Sequence, residues 1–301
     1  MKKKKGVFTR YSRQDKVLLT TGYVLLGLFV VAIIVPMIYI IVASFMDPIT
    51  LQNKGITFDW SKWTTTAYER VMTNSQIWIG FKNAVVYSVV FTVVSVAVTL
   101  LAAYPLSRTD FKGKGFFNVI FMITMFFGGG LIPTYINMRN LHLTNNFLVY
   151  ILPGGFSIYN CIIIRNYFFS IDKGMEEAAN IDGASPLQVF VRIIMPLSKP
   201  VLATVSLWQI VGQWNAWFDN MIYTRSVPEL TTLQYLLRRM LDTMQKKDAQ
   251  NLIDVAGSNM DINPETVKAA TTVIVVLPII MVYPFLQKYF VKGIMVGAVK
   301  G

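Results

Sequence analysis

Long uninterrupted apolar runs constrain this chain more than any other feature. They lie at about 18–45, 84–106, 116–136, 147–169, 201–223 and 269–290. A helix needs roughly 20 mainly apolar residues to cross a bilayer. Inside lipid only helices and closed barrels satisfy their own backbone. The expected fold is therefore an all-α integral membrane protein with six transmembrane helices. Hydrophobic residues make up 54% of the chain and charged residues 15%, which sets it apart from ordinary soluble domains.

An even number of spans places both termini on one side. Lys2, Lys3, Lys4, Lys5, Arg10, Arg13 and Lys16 precede the first run, and the segments on that side hold more Lys and Arg than the longer loops opposite. Basic residues mark the cytoplasmic face. This gives a basic cytoplasmic N-terminus (1–17), a six-span domain (18–290) and a cytoplasmic tail (291–301). The net charge of +12 then reflects topology and anionic lipid. No motif favours nucleic acid. The first run is too long for a signal-peptide core and no small-residue cleavage site follows it, so it reads as a retained span. Cys161, the single cysteine, falls inside a run, reads as a small buried hydrophobe and leaves no intrachain disulfide possible.

One polar interruption, 172–200, has internal order. Asp172 can cap a short helix over 175–181, with Glu176 and Glu177 near its positive N-terminal end. Asp182, Gly183 and Ala184 break it, because glycine accepts turn angles at low steric cost. Ser185, Pro186 and Gln188 form a capping-box start for a second helix to about Ile194. Pro196 and Pro200 then disfavour its smooth continuation. The spacing predicts a helix-turn-helix on the cytoplasmic face between spans four and five.

The order Glu177, Ala178, Ala179, Gly183, Ile193, Met195, Pro196 resembles the EAA loop of bacterial ABC importer permeases, with Met195 where Leu is usual. The resemblance implies that the loop is a coupling helix docked on a cytoplasmic ATPase. Glu176, Glu177, Ala178, Ala179, Asp182, Gly183, Ala184, Pro186 and Pro196 are then the coupling residues. Glu177 is expected to make the main polar contact, Ala178 and Ala179 to allow close approach, and Gly183 to form the turn.

The chain carries no catalytic signature of its own. It lacks a Gly-x-x-x-x-Gly-Lys-Ser/Thr phosphate cradle, and Gly128, Gly129 and Gly130 sit in an apolar run without the lysine such a cradle needs. Those glycines are expected to loosen span three or pack it closely. His142 is the sole histidine, so no two-histidine metal site can form. No Gly-x-Ser-x-Gly elbow is present. The expectation is a transport subunit, not an enzyme, with no metal or cofactor; ATP and Mg belong to partner ATPases.

The fifth run carries the polar residues that a solute would meet. At helical spacing Gln209, Gln213, Trp217 and Asn220 form one stripe, and Trp208, Gly212, Asn215 and Asp219 form its neighbour. Ile210, Trp214 and Met221 point to lipid or another helix. A mid-membrane carboxylate costs about 2.5–3.5 kcal/mol on insertion scales, so Asp219 is expected to face a cavity, a partner or the outer interface. Amides and flat rings suit a sugar, while an aromatic belt and interhelical hydrogen bonds account for the same residues without one. Trp214, Asn215, Trp217 and Phe218 resemble the sugar-importing branch of the permeases, which includes the maltose permease subunits. The tail, from Gln287 to Gly301, is similar to the C-terminus of that branch. It implies an ATPase contact through Lys292, Gly293, Gly297 and Lys300, whereas a basic membrane anchor explains the lysines alone.

Two outer loops remain. In the second, Leu233, Leu236, Leu237, Met240 and Leu241 follow helical spacing beside Arg238 and Arg239, predicting an amphipathic helix packed at the outer face. Part of that loop is expected to stay open to a binding protein. Asn263 and Pro264 form a cap and start for the last helix. The implied partners are a second, related permease subunit in a heterodimer, two ATPase subunits, an extracytoplasmic sugar-binding protein and the lipid bilayer. The expected cargo is an oligosaccharide; the alternatives are a polyol or glycerol-phosphate. Two rivals are an ATP-independent secondary transporter, opposed by the scarcity of acids in the spans, and a membrane enzyme, for which Asp219 is the sole acid-base candidate.

Overall fold

The computed structural model describes residues 12–245 and 264–298, and among these the regular elements are all helices, joined by turns and irregular stretches, with one isolated bridge between Met46 and Trp63. Lys2, Arg10, Asn263 and Lys300 lie outside the described residues. The chain divides into two compact units, Met1–Val71 with Ala256–Val273, and Met72–Val255 with Ile274–Gly301.

The first unit is built on α1 (Arg13–Phe45), started by a Ser12 capping box with Asp15. Its apolar side chains are exposed almost all round until Val42, as lipid-facing residues are. Its end packs with α2 (Pro48–Lys54) through Val42, Ala43, Met46 and Leu51. Asp47 caps α2 by accepting from the Thr50 amide (2.9 Å) and hydroxyl (2.8 Å). These bonds hold its carboxyl below the usual carboxylate range. The Trp63 ring stacks on Phe45 at 5.9 Å, and the short α3 (Thr66–Thr73) brings the Tyr68 hydroxyl to Ser44 Oγ at 2.7 Å.

The second unit is organised around α4 (Ser75–Ser107), which at 1.5 Å per residue is about 50 Å long. It is followed by α5 (Lys114–Phe126), α6 (Leu131–Asn140), α7 (Ile158–Phe169) and the paired α8 (Lys173–Ile181) and α9 (Pro186–Val189). A π-helical turn (Phe190–Ile194) and α10 (Met195–Leu197) lead into α11 (Lys199–Trp214). Then come α12 (Phe218–Tyr223), α13 (Leu233–Gln245) and α14 (Pro264–Ala298), most of which belongs to this unit. Two cores form at opposite ends of α4. One gathers Leu100, Ala103 and Leu106 with Ile164, Phe190 and Ile194; the other gathers Tyr87 and Phe91 with Met138, Tyr150 and Tyr223.

The helix bounds depart from the expected spans in three places. Span three is not one helix: α5 and α6 meet at 114° across a break at 127–130. Gly130 there has φ +84, and a Cβ on Gly128 or Gly130 would meet nothing within 4 Å. Gly130 breaks the run by supplying a left-handed backbone angle, and no neighbour among the described residues packs closely on Gly128 or Gly130. The run expected at 147–169 is a 3₁₀ turn (Phe147–Tyr150) and, after an irregular stretch, the 12-residue α7. The run expected at 201–223 ends as a helix at Trp214. Among the described residues, three helices are long and apolar enough to cross a membrane, or up to five if each bent pair is one span.

Candidate functional site

The 172–200 segment folds as two helices joined at Gly183. Asp172 caps α8 by accepting from Gly174 N (3.0 Å), two residues earlier than the helix start read from sequence. Gly183 has φ +79, a left-handed angle that disfavours any side chain, and a Cβ there would meet nothing within 4 Å. Ser185 and Gln188 form the reciprocal capping box that starts α9. The second helix runs through Ile194 as expected and on to Leu197, but after Val189 it widens from α-helix into a π-helical turn. That turn buries Phe190 and Ile194, the latter completely. Pro196 and Pro200, which lack the amide donors that a straight helix needs, accompany a 75° bend between Pro186–Leu197 and α11.

The coupling candidates sort into two faces. Glu176, Ala179 and Ala184 are half-buried, and Ala179 and Ala184 pack on the core containing Ile164 and Ile194. Glu177, Ala178, Asp182 and Pro186 are exposed. Around them the apolar side chains of Ile181 and Leu187 are 87% and 68% exposed. Close approach through Ala179 is therefore made within the chain itself, and Ala178 is left to face outward.

Two residues that sequence reasoning passed over hold this element. Arg108, just past the end of α4, pairs with Glu176 of α8, with both side chains mostly shielded. Its guanidinium also lies 4.5 Å from the Tyr104 ring centroid. The Tyr104 hydroxyl donates to the Pro186 carbonyl (3.4 Å), and its ring packs on Phe190 at 4.6 Å. One turn of α4 thus grips both helices of the pair. A cleft of about 360 Å³ opens beside the grip, lined by Arg108, Asp110, Lys173, Glu176 and Glu177. The signal in sequence was a Tyr and an Arg four residues apart at a span end, which reads equally well as interface anchoring.

The fifth-run candidates do not form two helical stripes, because the helix unwinds after Trp214. Gln209 donates to Ser95 Oγ (2.8 Å), joining α11 to α4. Trp208 stays exposed with its ring 6.2 Å from that of Tyr159, and Gly212 is also exposed. Gln213 Nε2 is buried without a hydrogen-bond partner. Trp214 packs on another helix: its Nε1 donates to the Val275 carbonyl of α14 (3.1 Å). Asn215 ends α11, donating to the Val211 carbonyl and accepting from Gln234 Nε2, both at 2.9 Å. Trp217 lies under the Arg238 guanidinium at 5.0 Å. Asp219 is half-buried. Asn220 has no exposed surface; it donates to Thr224 Oγ1 (2.8 Å) and accepts from the Thr232 amide (2.8 Å). It thereby ties α12 to the strap before α13.

The amphipathic helix expected at 233–241 is α13, and it packs on its own chain. Leu233 and Leu236 lie against Gly80 of α4 so closely that a Cβ there would meet Leu233 Cα at 3.1 Å. Asn83 fastens the preceding strap by donating to the Glu229 and Thr231 carbonyls (2.7 and 2.9 Å). In the tail, Lys292, Gly293 and Gly297 lie on the helical backbone of α14.

Comparison with known proteins gives the arrangement a family. Residues 6–296 match the family described as "Binding-protein-dependent transport system inner membrane component". The polygalacturonan/rhamnogalacturonan transport system permease protein YtcP of Bacillus subtilis (strain 168) is 33% identical over 279 residues, 93% of this chain and 96% of that protein. Protein LplC of the same organism is 36% identical over 274 residues, 89% of this chain and 90% of that one. A crystal structure of a bacterial ABC transporter involved in the import of the acidic polysaccharide alginate superposes with a TM-score of 0.83 at 33% identity, covering 93% of this chain and 99% of that one. This chain, whose described residues form helices apolar enough for several membrane crossings and which is matched over nearly its whole length, belongs to the inner membrane components of binding-protein-dependent transport systems.

Proposed function

We propose that this chain is one of two permease subunits of an ABC importer that moves an oligosaccharide across the bacterial plasma membrane. ATP is hydrolysed with Mg on two separate cytoplasmic ATPases, and the chain itself supplies no catalytic group. A related but different permease completes the path, and a sugar-binding protein delivers cargo at the outer face. On the proposed topology of six crossings with both termini cytoplasmic, 172–200 lies on the ATPase side. The sugar cargo rests on relatives whose names specify polygalacturonan, rhamnogalacturonan and alginate.

The observation that carries the reading is the exposed face of α8 and α9 set on a held base. Ile181 and Leu187 project apolar surface beside Glu177, which suits a protein groove better than water. Beneath them Arg108 and Tyr104 join both helices to α4, and Phe190 and Ile194 join them to the core shared with α7 and α11. A push on the exposed face therefore reaches three helices at once. Coupling needs a stiff element that makes different contacts in two states. The tail, through Lys292, Gly293, Gly297 and Lys300, forms a second ATPase contact, and Trp208, Gly212 and Gln213 are the fifth-run residues left to meet cargo.

The test is uptake by proteoliposomes holding the complex copurified from native membrane. Leu187→Glu is expected to abolish ATP-driven oligosaccharide uptake and to release the ATPases on purification. ATPase retention with undiminished uptake sinks the docking role of this face.

A further inference from the structure

The opposite end of the second unit holds a cleft that the coupling element does not explain. Its volume is about 420 Å³, within the roughly 300–1,000 Å³ range of small-molecule sites. It is lined by Tyr135 and Arg139 of α6, Asn145 of the following loop, Tyr223 at the end of α12, and Arg225 and Ser226 beyond it. No acidic side chain lines it. Among the described residues, neither Arg139 nor Arg225 forms an ion pair.

The walls are held from both sides. The Asn145 amide donates to the Tyr223 carbonyl (2.9 Å), and Ser226 Oγ donates to Asn145 Oδ1 (3.0 Å). His142 and Asn145 both have φ +54, an uncommon angle for residues other than glycine. Tyr223 is 8% exposed and its ring lies nearly parallel to that of Tyr135, 8° apart with centroids at 6.0 Å. The lining thus combines the stacked Tyr135–Tyr223 pair, two exposed arginines, and the amide and hydroxyl groups of Asn145 and Ser226.

Each part selects a different portion of one ligand. A guanidinium fork matches a carboxylate in plane and charge better than it matches a neutral hydroxyl. Flat rings cover the apolar C–H face of a pyranose, and amide and hydroxyl groups bond its hydroxyls. We infer that this cleft is a subsite for a uronate, a carboxylate-bearing sugar unit of an acidic oligosaccharide, with Arg139 and Arg225 as its acid-selecting residues. The inference rests on the oligosaccharide-importer reading above and narrows its cargo. On the proposed topology the cleft opens on the outer side, where cargo arrives.

Trigalacturonate and galactotriose, its neutral counterpart, separate the possibilities. With the full-length chain in nanodiscs, calorimetry is expected to show trigalacturonate binding at least tenfold more tightly than galactotriose, and the gap is expected to shrink as salt rises. Arg139→Gln with Arg225→Gln is expected to erase that preference, and Arg139→Lys to retain part of it. Equal affinity of the wild-type chain for the two sugars overturns the inference without relying on any variant. Loss of affinity for the binding protein in the double variant, with the acid preference intact, also overturns it and assigns the arginines to protein docking. ATP-driven uptake of galactotriose with no acid preference leaves the importer reading standing and removes the uronate site. Absence of ATP-driven uptake of either sugar, in proteoliposomes of the native complex, removes both.

Discussion

The two polar segments at either end of α11 both interrupt apolar runs but are built differently. Before α11, residues 172–200 are stopped and started by their own neighbours: Asp172 caps α8, Gly183 turns the chain, and Ser185 with Gln188 starts α9. After α11, residues 215–220 are ordered by partners far along the chain, namely Gln234 on Asn215, Arg238 over Trp217 and Thr232 on Asn220. The first segment is a locally written shape with one face left open. The second is a knot whose polar groups largely satisfy each other. Polar residues near a span therefore indicate function only when the structure leaves them unused.

The strongest way to break this contrast is at Arg108. If the α8–α9 pair works as a held lever, Arg108→Ala leaves Glu176 mostly shielded and without its cation, a loss of about 1.5–3 kcal/mol for a hydrogen bond to a charged group. The expected result is at least a tenfold fall in ATP-driven uptake by proteoliposomes while ATP hydrolysis continues. The exchange Arg108→Glu with Glu176→Arg is expected to restore part of it. A double-mutant cycle that shows no interaction between the two positions rejects the lever.

Asn220 tests the other side. Replacing it with Ala removes the acceptor from the buried Thr232 amide, at a cost of about 1–3 kcal/mol for an unsatisfied buried group. A lower melting temperature of the detergent-solubilised chain, with unchanged cargo affinity, is the expected pair of results. Weakened cargo binding at an unchanged melting temperature would instead return Asn220 to the pathway and dissolve the distinction between the two segments.

The difference between the segments is also a difference in what one sequence can disclose. Caps and the Gly183 turn are relations within four residues, so the helix pair was readable, with α8 starting at Lys173 instead of Met175. The π-helical turn was not, because it forms where Phe190 and Ile194 are drawn into a core shared with α4, α7 and α11. Apolar length marked α1, α4 and α14, which are continuous helices. It failed at 127–130 and after Trp214, where hydropathy is blind to a broken backbone. Arg108 and Glu176 are far apart in the chain, and no local rule pairs them. The cleft at Tyr135 and Arg225 likewise draws on α6, a loop and the end of α12.

Gly183 sharpens the comparison from within the first segment. Its φ of +79 costs a side chain roughly 1–2 kcal/mol, while the space around it is open. Gly183→Val is therefore expected to lower transport per ATP by straining the turn, and Gly183→Asn, which tolerates left-handed angles, to restore most of it. Equal loss in both variants would show that contact with a partner, not backbone angle, sets the requirement.

The smallest expected effect isolates the local writing itself. Ser185 Oγ accepts from Gln188 N, and Gln188 Oε1 accepts from Ser185 N, so Ser185→Ala removes one half of a reciprocal cap. Such a loss costs about 1 kcal/mol. Hydrogen exchange is expected to quicken at the first amides of α9 and nowhere else, because the Tyr104 hydroxyl still holds the Pro186 carbonyl and Phe190 still fills the core. Faster exchange spreading into α11 would mean that the bend at Pro196 and Pro200 depends on the cap, and that the two segments flanking α11 are one cooperative unit instead of two kinds of construction.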